Sequence, residues 1–208
     1  CFKVFAILND TLHLLTTVNL TICKYVKYSN GGHFLVANER SNIIIFDSIY
    51  YESLHYFDGH TSLIRDIVIT EDDSKIISTC DTGYVYCWDM NNPESNQEKE
   101  NWEHRNNMYN KILYDSRNDL FFGCTPEKNI CIYQNNCKEK LVEFISTDFD
   151  ANAAVISKKH NVLILGTNKG TIRVFMWPLN KSSLELEPVG NPPGDAFKYK
   201  YPEFLEYQ

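Results

Sequence analysis

An all-β fold made of repeated four-stranded blades is what this sequence predicts, and three observations predict it. Asp58-Gly59-His60 is followed, across 27 intervening residues, by Trp88-Asp89, and the interval reads as three short strands separated by two polar turns. Bulky aromatics that close apolar, β-branched runs recur at Phe46, Trp88, Tyr133 and Phe175, at intervals of 42, 45 and 42 residues. Second strands begin near Phe34, Ile76, Leu120 and Val162 and keep step at 42, 44 and 42. Two markers sharing a period of about 40 to 45 residues, with four strands in each period, are the pattern of a β-propeller.

Each element has a reason in the sequence. First strands read from Cys23 to Ser29, Leu63 to Thr70, Asn110 to Ser116 and Asn152 to Ser157, each ending at a polar turn such as Asn30-Gly31-Gly32-His33 or Glu71-Asp72-Asp73-Ser74. Second and third strands are the β-branched runs named above. Outer strands are more polar, near Ser53 to Phe57, Glu100 to His104, Lys140 to Ser146 and Tyr201 to Tyr207. Phe2 to Leu8 and Leu12 to Val18 read as the last two strands of a preceding blade.

These divisions give 1–20 as the end of one blade, then blades over 21–58, 59–107, 108–147 and 148–208. The total of about four and a half blades, with a period of WD-repeat length, predicts a WD40-type β-propeller whose ring is incomplete, since WD propellers close with about seven blades. Two stretches break the period. Asn91 to Gln97 is a polar insertion, and Lys181 to Lys200 holds Pro188, Pro192 and Pro193 with Gly190 and Gly194, which forbids a regular ladder. Such a loop serves either as a partner contact or as tolerated slack.

Bulk composition narrows the function classes. A hydrophobic content of 43% supports a packed core, and a formal charge of −7 with pI near 5.4 opposes a nucleic-acid backbone as principal partner. The seven cysteines form no CxxC pair, which indicates neither a complete disulfide framework nor a zinc spacing and fits a reducing compartment. No apolar run approaches the roughly 18 to 20 residues that span a bilayer, and no signal-peptide stretch opens the chain, so no membrane role is expected. The chain starts without Met and its strand pattern continues to Tyr207-Gln208, so it reads as a piece of something longer.

His60, Ser78, Asp81 and Trp88 combine an imidazole, a hydroxyl and a carboxylate, which could be taken for a hydrolase constellation. The blade offers another reading, in which loop histidine His60, second-strand hydroxyl Ser78 and third-strand indole Trp88, extended by Asp81 in the turn between those strands, form a buried hydrogen-bonded chain that fixes strand register. The acid stands one position early for that pattern, with Thr82 in the usual place. Cys80 with Cys87, and Cys124 with Cys131, fall on adjoining strands as small buried thiols rather than metal ligands. No phosphate-binding loop is present and no cofactor or metal is expected. Glu71, Asp72 and Asp73 read as solvated turn charges, and the aromatic tail Phe197, Tyr199, Tyr201, Phe204, Tyr207 as packing on the last blade.

Several stretches together carry a resemblance: Ser29-Asn30-Gly31-Gly32-His33, Gly59-His60-Thr61 with Ile64-Arg65, Asp72-Asp73-Ser74-Lys75 with Ile77-Ser78, Gly166-Thr167 with Gly170-Thr171-Ile172-Arg173, Pro178-Leu179, and Glu206-Tyr207-Gln208. From about Cys23 onward the chain resembles the later blades of the cilia- and flagella-associated protein 57 family, most weakly at 91–107 and 181–200. The resemblance implies tandem propellers followed by a coiled coil, outside this chain, that would dimerise the protein. It implies a location in the cytoskeleton of the axoneme, with inner-arm dynein and regulatory-complex subunits as partners, a doublet microtubule as a further contact, and an adaptor role without catalysis. Two alternatives remain beside it: a WD-repeat adaptor of another assembly, such as a ubiquitin ligase or vesicle coat, and an enzyme on a propeller scaffold.

Overall fold

A computed structural model describes residues 1–93, 100–102, 108–134 and 139–179. Seventeen strands occur there and all pairing is antiparallel. β1 (Phe2–Leu8) and β2 (Thr11–Val18) form a two-stranded hairpin. β3 (Val26–Tyr28), β4 (Phe34–Glu39), β5 (Asn42–Asp47) and β6 (Ser53–Phe57) form a four-stranded meander. The next two meanders are β7 (Ile64–Ile69), β8 (Lys75–Cys80), β9 (Val85–Asp89), β10 (Glu100–Trp102), and β11 (Lys111–Asp115), β12 (Leu120–Cys124), β13 (Asn129–Gln134), β14 (Glu139–Ser146). β15 (Ala151–Ser157), β16 (Val162–Thr167) and β17 (Ile172–Met176) make the last sheet, three-stranded among the described residues.

Among the described residues this is an all-β stack of small meanders without a closed ring, consistent with an incomplete WD40-type propeller. The sequence reason is period-2 alternation with both faces buried, which turns inner strands into nearly continuous apolar runs. In β5, Ile43 and Ile45 pack against the β7–β10 sheet with Ile64, Ile67, Ile76 and Trp88. Ile44 and Phe46 of the same strand point the other way, onto Phe2 and Val18 of the hairpin. In β12, Phe121 packs with Val68, Ile77 and Tyr109, while Phe122 packs with Leu163, Leu165 and Trp177 of the last sheet. Each interface between sheets is therefore a separate core, and β4, β5, β8, β9, β12 and β13 each contribute to two of them.

The first strand β3 is shorter than Cys23 to Ser29. Asn38 Oδ1 accepts from the backbone N of both Lys24 and Tyr25 at 2.9 Å, so a side chain replaces ladder bonds ahead of Val26. The Asn30 to His33 turn is closed by Ser29 Oγ, which accepts from His33 N at 3.0 Å and Phe34 N at 3.2 Å, and Gly32 supplies the left-handed residue at φ +70°. The outer strand placed at Tyr201 to Tyr207, the insertion 181–200, the aromatic tail and most of the insertion after Asn91 lie outside the described residues.

Candidate functional site

β8 and β9 carry two members of a buried polar group, Ser78 and Trp88, which meet His60 from the preceding loop. Ser78 Oγ accepts from the indole Nε1 of Trp88 at 2.8 Å and lies 2.7 Å from His60 Nε2. An indole N–H only donates, so Ser78 spends a lone pair on Trp88 and its own proton is left to serve the imidazole. His60, Ser78 and Trp88 are 4%, 0% and 1% exposed. Rings enclose the group: Phe57 stacks on Trp88 at 5.3 Å, and Tyr86 meets His60 at 4.5 Å.

Asp81 is not a member of this group. Its Oδ1 accepts from Arg65 Nε at 2.5 Å, and its side chain is 39% exposed. Standing one position early, at the start of the β8–β9 turn, it has its own N–H bonded to Leu63 O at 3.0 Å and its carboxylate turned toward Arg65. The structure thus joins His60, Ser78 and Trp88 and sets Asp81 beside a different partner.

Sequence reasoning missed a second group. Asp66, on β7, is fully buried and takes the Lys111 ammonium at 2.9 Å and Ile112 N at 2.9 Å from β11 of the next sheet. From the other side Lys27, on β3, donates to Ile67 O and stands 3.9 Å from Asp66. Burial, with Lys111 nearby, pulls the Lys27 ammonium below its ordinary pKa against the opposing pull of Asp66. The signal was present: an Asp inside the apolar run Ile64 to Ile69 has to find charge partners or neutralise.

Arg65 leads to a polar cavity of about 350 Å³ lined by Lys24, Tyr25, Arg65, Asp81, Asn110 and Asn152. All but Asp81, in the β8–β9 turn, come from the entries to the first strands of four successive sheets. Arg65 Nη1 donates to Asn110 Oδ1 at 2.9 Å, so its guanidinium is held between two sheets. Such a lining recognises polar groups by hydrogen bond and charge. Among the described residues no cluster of three or more His, Cys, Asp or Glu could hold a metal ion. Cys80, Cys87, Cys124 and Cys131 are buried thiols, and burial pushes Cys131 up to about 11 despite hydrogen bonds with Tyr109 and Tyr133.

A third feature also escaped the sequence. Asp115, 1% exposed at the end of β11, accepts from Trp177 Nε1 at 2.6 Å and Asn118 Nδ2 at 2.7 Å, tying the last two sheets. Glu71, Asp72 and Asp73, expected as solvated turn charges, do more than that in two cases. Asp72 accepts from Thr70 Oγ1, Ser74 N and Ser74 Oγ, which hold its carboxyl down at about 2. Asp73 accepts from Asn30 N and Gly31 N, each at 2.7 Å, across to the preceding sheet.

Comparison with known proteins agrees with this architecture. No protein-family profile matches the chain. Cilia- and flagella-associated protein 57 of Mus musculus is 26% identical over 180 residues, 86% of this chain and 14% of that protein. Target of rapamycin complex subunit wat1 of Schizosaccharomyces pombe is 22% identical over 161 residues, 75% of this chain and 49% of its own length. WD repeat-containing protein 55 homolog of Drosophila virilis is 20% identical over 174 residues, 81% of this chain and 34% of its own. The chain therefore spans half or less of each relative. Antiparallel meanders at a WD-repeat period, with a histidine, serine and tryptophan joined inside one of them, give this chain the fold of an incomplete WD40-type β-propeller, and its relatives make it similar to the WD-repeat family. Within that family it resembles cilia- and flagella-associated protein 57.

Proposed function

We propose that the chain is part of a non-enzymatic scaffold of the ciliary or flagellar axoneme, a WD-repeat propeller that helps dock inner dynein arms and the neighbouring regulatory complex on doublet microtubules. The observation that carries this reading is the similarity to the mouse cilia- and flagella-associated protein, which extends over 86% of the chain. The chemistry agrees with a scaffold. His60, Ser78 and Trp88 are sealed from any substrate and act as a tie that holds strand register within one blade. The open cavity is lined without a Ser, Thr, Cys or His, so it lacks the usual hydroxyl or thiol nucleophile and imidazole base. Attachment comes from several modest contacts on one rigid body, which add to a tight whole.

Tagging the protein in its own cells and locating the tag in averaged tomograms of axonemes tests this directly. Density at the base of the inner dynein arms is the expected result, and a tag excluded from cilia removes the reading. A second reading has one observation of its own, the similarity to a target of rapamycin complex subunit over 75% of the chain. On that reading the propeller is an adaptor of a different intracellular assembly. Proximity labelling from the same tag separates the two, since axonemal proteins label under the first and a non-ciliary complex under the second.

A further inference from the structure

We infer that one end of the β3–β6 sheet is a docking surface for a basic polypeptide segment that carries an apolar anchor residue. The turns at 29–33 and 48–52 leave this sheet at the same end, because successive strands run in opposite directions. Asp47 fixes the second turn: its Oδ1 accepts from the amides of Ile49 and Tyr50 at 2.8 and 2.7 Å, and its carbonyl accepts from Tyr51 N at 3.1 Å. Held this way, Ile49 and Tyr50 stand next to each other at 72% and 76% exposure. Tyr28, 51% exposed, widens the patch, its Oη lying 3.4 Å from Tyr51 Oη.

Ile49 and Tyr50 belong to none of the cores between sheets, so they give the fold little. Rigidly presented aromatic and aliphatic side chains at a contiguous exposed patch are what protein interfaces use as anchors. The surrounding charge selects the partner. Glu52 follows the turn as an exposed carboxylate, and Asp72 and Asp73 are brought alongside by the bonds from Asp73 to Asn30 and Gly31. The chain as a whole carries −7. A Lys- or Arg-rich segment is attracted to such a rim and an acidic one is repelled, while the apolar anchor seats against Ile49 and Tyr50. This goes beyond the axonemal reading and does not depend on where in the cell the protein sits.

Fluorescence anisotropy with the purified protein tests the surface, using a short labelled peptide in which lysines and arginines flank a single leucine. The same peptide with glutamates for the basic residues is the counterpart. Saturable binding of the basic peptide alone is expected, weakened about tenfold by Tyr50→Ala and by Ile49→Ala and made less salt-dependent by Glu52→Gln. All three positions are exposed, and thermal melting verifies that each variant is folded. Absence of binding, equal binding of the acidic peptide, or full affinity in Tyr50→Ala and Ile49→Ala overturns the inference. So does self-association in light scattering that Ile49→Asp abolishes, since the occupant is then a second copy of the chain.

Discussion

Lys111 reaches from β11, the first strand of one sheet, to Asp66 on β7, the first strand of the sheet before it, with 2.9 Å between ammonium and carboxylate. The acid is 1% exposed and the base 20%, so the pair lies largely out of solvent. A buried ion pair adds little when intact, because desolvation offsets the attraction, but removing one partner leaves the other uncompensated. Asp66→Ala orphans the Lys111 ammonium and the Ile112 N–H together. Chemical denaturation should record a loss of about 3 kcal/mol, with a smaller loss for Asp66→Asn, which keeps an acceptor for the amide. Equal stability of wild type and Asp66→Ala would show that this contact carries no part of the fold.

Within the β7–β10 sheet, Ser78 is the hub on which Trp88 and His60 converge. Ser78→Ala strips the indole N–H and the imidazole of their shared partner at once, whereas His60→Ala leaves the bond from Trp88 in place. Both variants are expected to lose about 1 to 3 kcal/mol, with Ser78→Ala the larger loss. Urea titration followed by Trp fluorescence reports both numbers. Loss of some catalytic turnover in His60→Ala with unchanged stability would instead make the group chemical rather than structural.

The Asp72 carboxyl titrates lower in the folded chain, at about 2 against an ordinary 3.8, chiefly because Ser74 and Thr70 donate to its charged form. Its folded pKa is depressed, so its contribution to stability is complete above the ordinary value and disappears as pH falls from about 3.8 through about 2. The residue is exposed, so the contribution is small and best read as a difference. Thermal melts across this window should fall less steeply for Asp72→Asn than for wild type. Parallel curves would mean that the turn does not need the charge.

Gly123 in β12 faces the ring of Tyr109, and a Cβ there would lie 2.4 Å from it. Tyr109 is fully buried beside Phe121 and Cys131 and cannot swing clear. Gly123→Ala should therefore destabilise by about 1 to 3 kcal/mol through overpacking, despite the better strand propensity of alanine. A melting temperature at or above that of wild type would place Tyr109 elsewhere.

Much of the strand pattern could be read in the sequence because both faces of the inner strands are buried. Ile43 to Phe46, Ile76 with Ile77, and Phe121 with Phe122 feed two cores each, which produces apolar runs at a fixed spacing. Local hydrogen bonding was legible too, as at His60 and Ser78, because both sit at fixed offsets from Trp88. Asp81 shows where offsets stop helping: one residue of displacement in a turn sends a carboxylate to a different partner, Arg65. Contacts between sheets were not legible. Asp66 with Lys111 and Asp73 with Asn30 depend on how neighbouring sheets stagger, which the period of one repeat does not encode.

Asp115 and Trp177 pose the same kind of contact at the other end of the arc, 62 residues apart in sequence and 2.6 Å apart in space. Trp177 also fills the core between the last two sheets, its ring 6.0 Å from that of Phe122. Two effects can therefore be separated by substitution. Trp177→Phe keeps most of the apolar volume and deletes the N–H, leaving Asp115 with Asn118 Nδ2 and Arg117 N as donors, for an expected loss of about 1 to 2 kcal/mol. Trp177→Ala adds a cavity and should cost about 3 to 5 kcal/mol. If Asp115→Ala removes the stability difference between Trp and Phe at 177, the bond itself accounts for that difference. If the difference survives, ring volume and not the carboxylate holds the last sheet in place.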